Sequence, residues 1–229
     1  MQPAMAGWGS GLLGVLIFSG SLPATRVAVG GFSPLFLTSA RAAIAALDEA
    51  ERVAQNKARV LTIRGRLKYE IGEPFNSIDD FDAAIKLDDK TPRAQYFRGL
   101  AKMMVWDYES AAANFTSAIE QDPALLDCRL QRAKSLALSG KLTDALVDIE
   151  AYVLAAPASS DGQLEAASIY QALDKKDLYE TALARAIKTK GPLDEAIDIE
   201  RRVEYLSTLY KRIAIGDIVI PQRKRAEPK

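Results

Sequence analysis

The sequence predicts an all-α fold: a solenoid of stacked helix-turn-helix units behind an N-terminal hydrophobic segment. Three observations carry this reading. Matched positions recur every 34 residues, three times in register: Gly65, Gly99 and Ala133; Ser77, Ala111 and Ala145; Phe81, Phe115 and Ile149; Asp89, Pro123 and Pro157. A repeat of this length marks units that stack on their neighbours rather than close around one core. Apolar residues within a unit fall at helical spacing, as at Ala94, Phe97, Ala101 and Met104. Charge is also segregated, for 58 of the 60 charged residues lie in 48–229 and only Arg26 and Arg41 precede them.

Taken in order, residues 1–40 carry a single charge, Arg26. Residues 7–25 are uncharged and mostly apolar, and as a helix they extend about 28 Å, close to the thickness of a bilayer core. A second uncharged run, 27–40, contains Pro34 and reaches spanning length only by continuing past Arg41 to Leu47. The segment reads as a membrane anchor or hairpin. The competing readings are a cleaved secretory signal, a non-physiological appendage and a segment packed on the first repeat. The first ten residues lack the basic region of a signal. No Lys or Arg precedes Arg26, whereas Arg41, Arg52, Lys57 and Arg59 follow, so the positive-inside bias places the repeats on the cytoplasmic side of a single span. The alternative localisation is soluble cytoplasmic.

Residues 41–214 form the helical region. Ala43, Leu47 and Ala50 sit at positions 20, 24 and 27 of a would-be preceding unit, so 40–55 is expected to cap the first repeat. Unit 58–91 follows, with Pro74 in its inter-helix turn. Unit 92–125 has a first helix over 92–105, a turn at Trp106-Asp107-Tyr108 and a second helix over 109–121 that Pro123 ends. Unit 126–159 repeats the plan, and 160–190 is a degenerate fourth unit with Ala167 in the small position and a second helix over 177–188. Gly191-Pro192 punctuates. Residues 193–213 then read as an amphipathic capping helix, Ile197, Val203, Leu206 and Leu209 inward, Glu200, Arg201, Glu204 and Lys211 outward. The C-terminal tail, 215–229, begins with an apolar, β-prone stretch, 215–220, for which packing back on the last helix is left open, and ends in a short basic stretch, 221–229, expected to be a solvated end.

These units resemble the tetratricopeptide repeat. The middle unit matches through Gly99, Tyr108, Ala111, Phe115, Ala118 and Pro123, the next through Ala133, Gly140, Ala145, Ile149 and Pro157, and the first through Gly65, Gly72, Phe81 and Ala84. Departures are Ser77, Asp89, Pro74 and the lack of Trp at position 4, where Leu61, Gln95 and Arg129 stand. The resemblance implies a non-enzymatic interaction scaffold that takes a peptide or partner protein along its first helices. The positions that line such a groove hold Arg59, Thr62, Arg66, Tyr69 and Glu70; Arg93, Tyr96, Leu100, Met103 and Met104; and Asp127, Leu130, Lys134, Ala137 and Leu138. Arg59, Arg66, Arg93 and Lys134 give the groove positive charge, which suits an acidic ligand because the guanidinium fork pairs with carboxylates. Tyr69, Tyr96, Leu100, Met103 and Leu130 add apolar contact. No Asn occupies these positions, so the carboxylate clamp of chaperone-binding members is not implied. A solvated face, its arginines paired within the stack, is the competing account.

Residues 21–47, SLPATRVAVGGFSPLFLTSARAAIAAL, resemble the first membrane helix, loop and second-helix start of EamA-type drug/metabolite transporters. Together with the apolar run before it, over 7–47, the resemblance covers about a fifth of the chain. It implies a transporter-derived membrane protein with an added repeat domain as the alternative to a scaffold.

Composition narrows the chemistry. Lys plus Arg and Asp plus Glu number 30 each, so no bulk attraction to nucleic acid follows. The chain lacks histidine, which removes histidine-based triads, dyads and metal sites. The single cysteine, Cys128, reads as a small packing residue. There is no phosphate-loop or dinucleotide motif, and no cofactor is expected. Asp79, Asp80, Asp82, Asp88 and Asp89 have no metal-loop spacing and read as a charged helix face. Oligomeric state is left open.

Overall fold

A computed structural model describes residues 34–190 and 193–225. The described residues form ten helices and no strand. In chain order these are α1 (Pro34–Val53), α2 (Lys57–Glu70), α3 (Pro74–Leu87), α4 (Pro92–Met104), α5 (Tyr108–Gln121), α6 (Leu126–Leu138), α7 (Leu142–Ala155), α8 (Ser160–Ala172), α9 (Lys176–Lys190) and α10 (Leu193–Ala214). Helices α2–α9 pair into four units, each packing on the next, and α1 packs on α2. The candidate membrane segment 7–25 lies outside the described residues. Among the described residues no helix is long and apolar enough to cross a membrane, and that includes α1.

Local chemistry sets the boundaries. Pro92 opens α4, where its missing N–H costs nothing. Pro74 does the same for α3. It is therefore a helix-starting residue rather than the turn residue expected from its place between two helices. Asn56, Asp107 and Ser159 cap α2, α5 and α8 with side-chain oxygens.

The turn inside every unit is closed by the same main-chain bond, from Glu73, Asp107, Lys141 and Lys175 N–H back to the carbonyls of Lys68, Lys102, Leu136 and Tyr170, at 2.8–2.9 Å. This is a Schellman closure, and it needs a left-handed residue just before it. Gly72 and Gly140 meet that need at no steric cost (φ 84° and 82°), but Trp106 and Asp174 adopt the same conformation (φ 63° and 57°). A side chain in this region costs roughly 1–2 kcal/mol.

Packing explains the repeated small residue. A Cβ at Gly99 would lie 2.6 Å from the Phe115 ring, and one at Gly65 2.8 Å from the Phe81 ring. In the third unit Ala133 faces the smaller Ile149, both fully buried. Size is conserved across the pair, glycine with phenylalanine and alanine with isoleucine, as close-packed interiors require. Phe81 also stacks on Phe97 of the next unit, ring centroids 6.2 Å apart. Burial of each such ring contributes about 1.5–3 kcal/mol.

A second register joins the units. Arg64, Arg98 and Arg132 stand 34 residues apart. Each reaches 16 residues forward within its unit, to Asp80, Asn114 and Asp148, and 16 residues back, to Asp48, Asp82 and Thr116. Arg132 holds both Asp148 oxygens at 2.6 Å, and this hydrogen bonding raises the arginine's affinity for its proton against the opposing effect of burial. In the fourth unit both positions are alanine, Ala166 and Ala182, and both are buried.

Consecutive first helices (α2, α4, α6, α8) touch one another more than consecutive second helices do, so they form the inner face of the stack. Helix α10 does not stack as the next unit. It packs chiefly on α8 and less on α9 and α6, which lays it over the C-terminal part of the inner face. Residues 162–170 of α8 are consequently buried without a break. Val203 turns inward as expected and Leu206 is half-buried, while Ile199, Ser207 and Tyr210 are additional buried contacts. Tyr210 donates to Glu165 at 2.6 Å within this contact, where burial raises the affinity of the Glu165 carboxyl for its proton.

Candidate functional site

With α10 over α8, the open part of the inner face is the N-terminal part. A cavity of about 470 Å³ lies there between α2 and α4. Arg59, Thr62, Ile63 and Arg66 line it from α2, and Arg93, Ala94 and Phe97 from α4. The inter-unit turns contribute Asp88, Lys90 and Asp122 to its lining. Arg59 and Arg93 are exposed at their helix N-termini. Arg66 is half-buried, bonded to Glu70 at 2.8 Å and seated 5.0 Å above the Phe97 ring. The guanidinium is thus held in place by a carboxylate on one side and an aromatic face on the other.

The structure brings Arg59, Arg66 and Arg93 together and sends the other expected contacts elsewhere. Tyr69, Leu100 and Leu130 are core residues instead of groove contacts, each under 9% exposed. Tyr69 and Leu100 pack in the core cluster of the first two units, and Leu130 in that of the third and fourth. Burial pushes the Tyr69 hydroxyl up to about 12. Tyr96 belongs to an aromatic cluster, 5.2 Å from Phe97 and 5.9 Å from Phe115, and burial raises its pKa too. Met103 and Met104 are half-buried against the same core. Lys134 lies near Glu165, in the part of the face that α10 covers, and its charge opposes the upward shift of that carboxyl.

Ile63, Phe97 and Lys90 complete the cavity and fell outside the groove positions read from the repeat. The acidic patch is divided among separate cations: Asp79 to Arg225, Asp80 to Arg64 and Lys68, Asp82 to Arg98. No group of acidic or thiol side chains suited to a metal is found among the described residues. Cys128 is fully buried, and burial pushes its thiol up to about 12.

Residues 215–225 run back along the intra-unit turns; 221–225 are solvent-exposed and are at the same time held there by hydrogen bonds. Arg223 N–H donates to the Val105 carbonyl at 2.8 Å, Gln222 to Asp107 at 2.9 Å, and Arg225 to Asp79 and the Phe75 carbonyl at 2.8 Å. Guanidinium groups exposed on one side find carboxylates and aromatic faces that the stack presents only after folding.

No family model matches the chain. Its fold is similar to that of YrrB, described as a TPR protein with an unusual peptide-binding site, at TM-score 0.62 and 19% identity over 72% of this chain and 85% of that one. It is also similar to PilF of Pseudomonas aeruginosa, at TM-score 0.63 and 14% identity over 80% of this chain and 82% of that one. These likenesses establish the tetratricopeptide-type solenoid and nothing finer. Separately, a stretch of 45 residues is 67% identical to the uncharacterized transporter YdeK of Bacillus subtilis (strain 168). That stretch is 20% of this chain and spans only 16% of the transporter.

Proposed function

We propose that the chain is a non-enzymatic interaction scaffold that takes an acidic peptide segment of a partner protein between α2 and α4. The carrying observation is the cavity of about 470 Å³ lined by Arg59, Arg66 and Arg93 together with the apolar Phe97 and Ile63. An apolar floor with convergent cations fits a ligand that alternates acidic and apolar side chains. Asp88 and Asp122 also line the cavity and repel a ligand carboxylate placed beside them.

The test is a titration of fluorescent Glu-rich and Asp-rich peptides, extended and helical, against Lys-rich controls at fixed salt. Reversing the two exposed charges, Arg59→Glu with Arg93→Glu, leaves the core untouched. It is expected to weaken acidic-peptide binding by at least about tenfold. Unchanged affinity removes this groove.

The 67% identity to a transporter over 45 residues favours a second reading, a membrane-tethered or transporter-derived N-terminus joined to the repeats. Carbonate-washed fractionation of the full chain and of a chain starting at residue 34, where α1 begins, separates the two. Retention of the full chain alone supports tethering through 7–25, and release of both refutes it.

A further inference from the structure

The turn edge of the stack carries a bound peptide already, and it is the chain's own. After α10 the main chain turns at Gly216 (φ 78°), where an added Cβ would meet nothing within 4 Å. The Arg212–Asp217 pair at 2.6 Å pins that turn. Beyond it, residues 218–225 have no regular secondary structure and pass the turns of the third, second and first units in that order. Under this strap a cavity of about 330 Å³ remains, walled by Trp106, Leu138, Ile213 and Ile218.

The contacts are those of a recognition site rather than of a packed core. Arg223 and Arg225 are two residues apart. In an extended segment that spacing puts both side chains on one side. The Arg223 guanidinium lies 5.4 Å from the centre of the Trp106 ring. The Arg225 guanidinium lies 5.5 Å from the centre of the Phe75 ring and 2.8 Å from both Asp79 oxygens. Stacking on an aromatic face together with hydrogen bonding to a carboxylate selects arginine over lysine. The main chain is read as well, through Arg223 N–H on the Val105 carbonyl at 2.8 Å.

Trp106 stands where the first and third units have Gly72 and Gly140, and it keeps the left-handed conformation that those glycines adopt freely. A bulky residue held there is a strained position, and strain of this kind concentrates where a side chain has a binding role. Trp106 is 42% exposed, at the edge that the strap crosses.

We propose that the turn edge of the first two units is a second peptide-binding strip, selective for an extended segment of a partner protein with arginines two residues apart, and that residues 222–225 occupy it in cis. The strip lies at the turns, apart from the cavity between α2 and α4, so this inference does not depend on the acidic-peptide reading. A basic segment of a partner gains the strip only as the tail leaves, with Gly216 as the hinge.

The experiment uses the full chain. In R223E/R225E the tail is repelled from Asp79 and the strip is vacated; R223A/R225A is a milder second variant. A fluorescent peptide with the sequence of residues 218–229 is titrated by anisotropy into wild type and both variants. Both variants are expected to bind it at least about tenfold more tightly than wild type, since wild type must first release its own tail. Adding D79N or W106A to either variant is expected to remove about tenfold of that affinity, and a peptide with both arginines changed to lysine is expected to lose a similar factor. Equal binding by wild type and both variants overturns the proposal. So does affinity indifferent to D79N and W106A, or to the lysine exchange.

Discussion

Substitution of Arg132 by alanine tests what joins the units. In the folded chain the Arg132 guanidinium meets both oxygens of Asp148 at 2.6 Å and the Thr116 hydroxyl of the preceding unit at 3.0 Å. The Asp148 side chain is 3% exposed, so without its partner it becomes a buried carboxylate with little access to water. Breaking such a pair from one side costs about 3–5 kcal/mol, and the lower end applies because Arg129 remains 3.7 Å from Asp148. R132A is therefore expected to lose about 3 kcal/mol in urea denaturation followed by circular dichroism. The double variant R132A/D148A is expected to regain most of that loss, because it recreates the pair of alanines that the fourth unit carries at Ala166 and Ala182. R98A should cost less than R132A. Its forward partner is the neutral Asn114, and Asp82, the acid it pairs with behind it, is solvent-accessible. A loss under 1 kcal/mol for R132A, or a double variant no more stable than the single one, would show that the arginine ladder does not hold the stack together.

Three further outcomes follow from the packing and the buried hydroxyls. G99A should destabilise by about 1–3 kcal/mol, since its Cβ would lie 2.6 Å from the Phe115 ring, and G99A/F115I should recover most of this by copying the Ala133–Ile149 pair; thermal melts of the two variants decide it. Stability should fall as pH rises above about 10, the unfolded tyrosine value, because Tyr69, Tyr96 and Tyr210 are held protonated in the fold while the unfolded chain releases those protons. The contribution of Tyr69 is complete below pH 10 and is lost toward about 12, at roughly 1.4 kcal/mol per pH unit, and urea titrations across that window read it. Cys128 should resist iodoacetamide in the native chain and react on unfolding, since it is fully buried with its thiol pushed up to about 12; native labelling detected by mass spectrometry would contradict its core placement.

Much of the fold was legible because it is local and repeated. The small-large register at Gly99 and Phe115, the proline at the start of α4 and the helix pairing all follow from short-range chemistry repeated every 34 residues. Pro74 was misplaced because proline suits both a turn and the first helical position, and only the backbone path distinguishes them. The arginine ladder was present in the spacing of Arg64, Arg98 and Arg132, yet charged residues on a helix read as surface until their partners are known.

The candidate groove was legible only in part. Helical position alone gathered Arg59, Arg66 and Arg93, but it equally nominated Tyr69, Leu100 and Leu130, which are buried in the core clusters. By itself the amino-acid sequence determined a stack of helical pairs, their register and the absence of histidine chemistry, because these depend on neighbours within one unit and on composition. Tertiary structure decided that α10 turns back over the inner face and that the tail follows the turn edge. Those placements depend on contacts such as Tyr210 with Glu165 and Arg225 with Asp79, 45 and 146 residues apart, and no local periodicity encodes them.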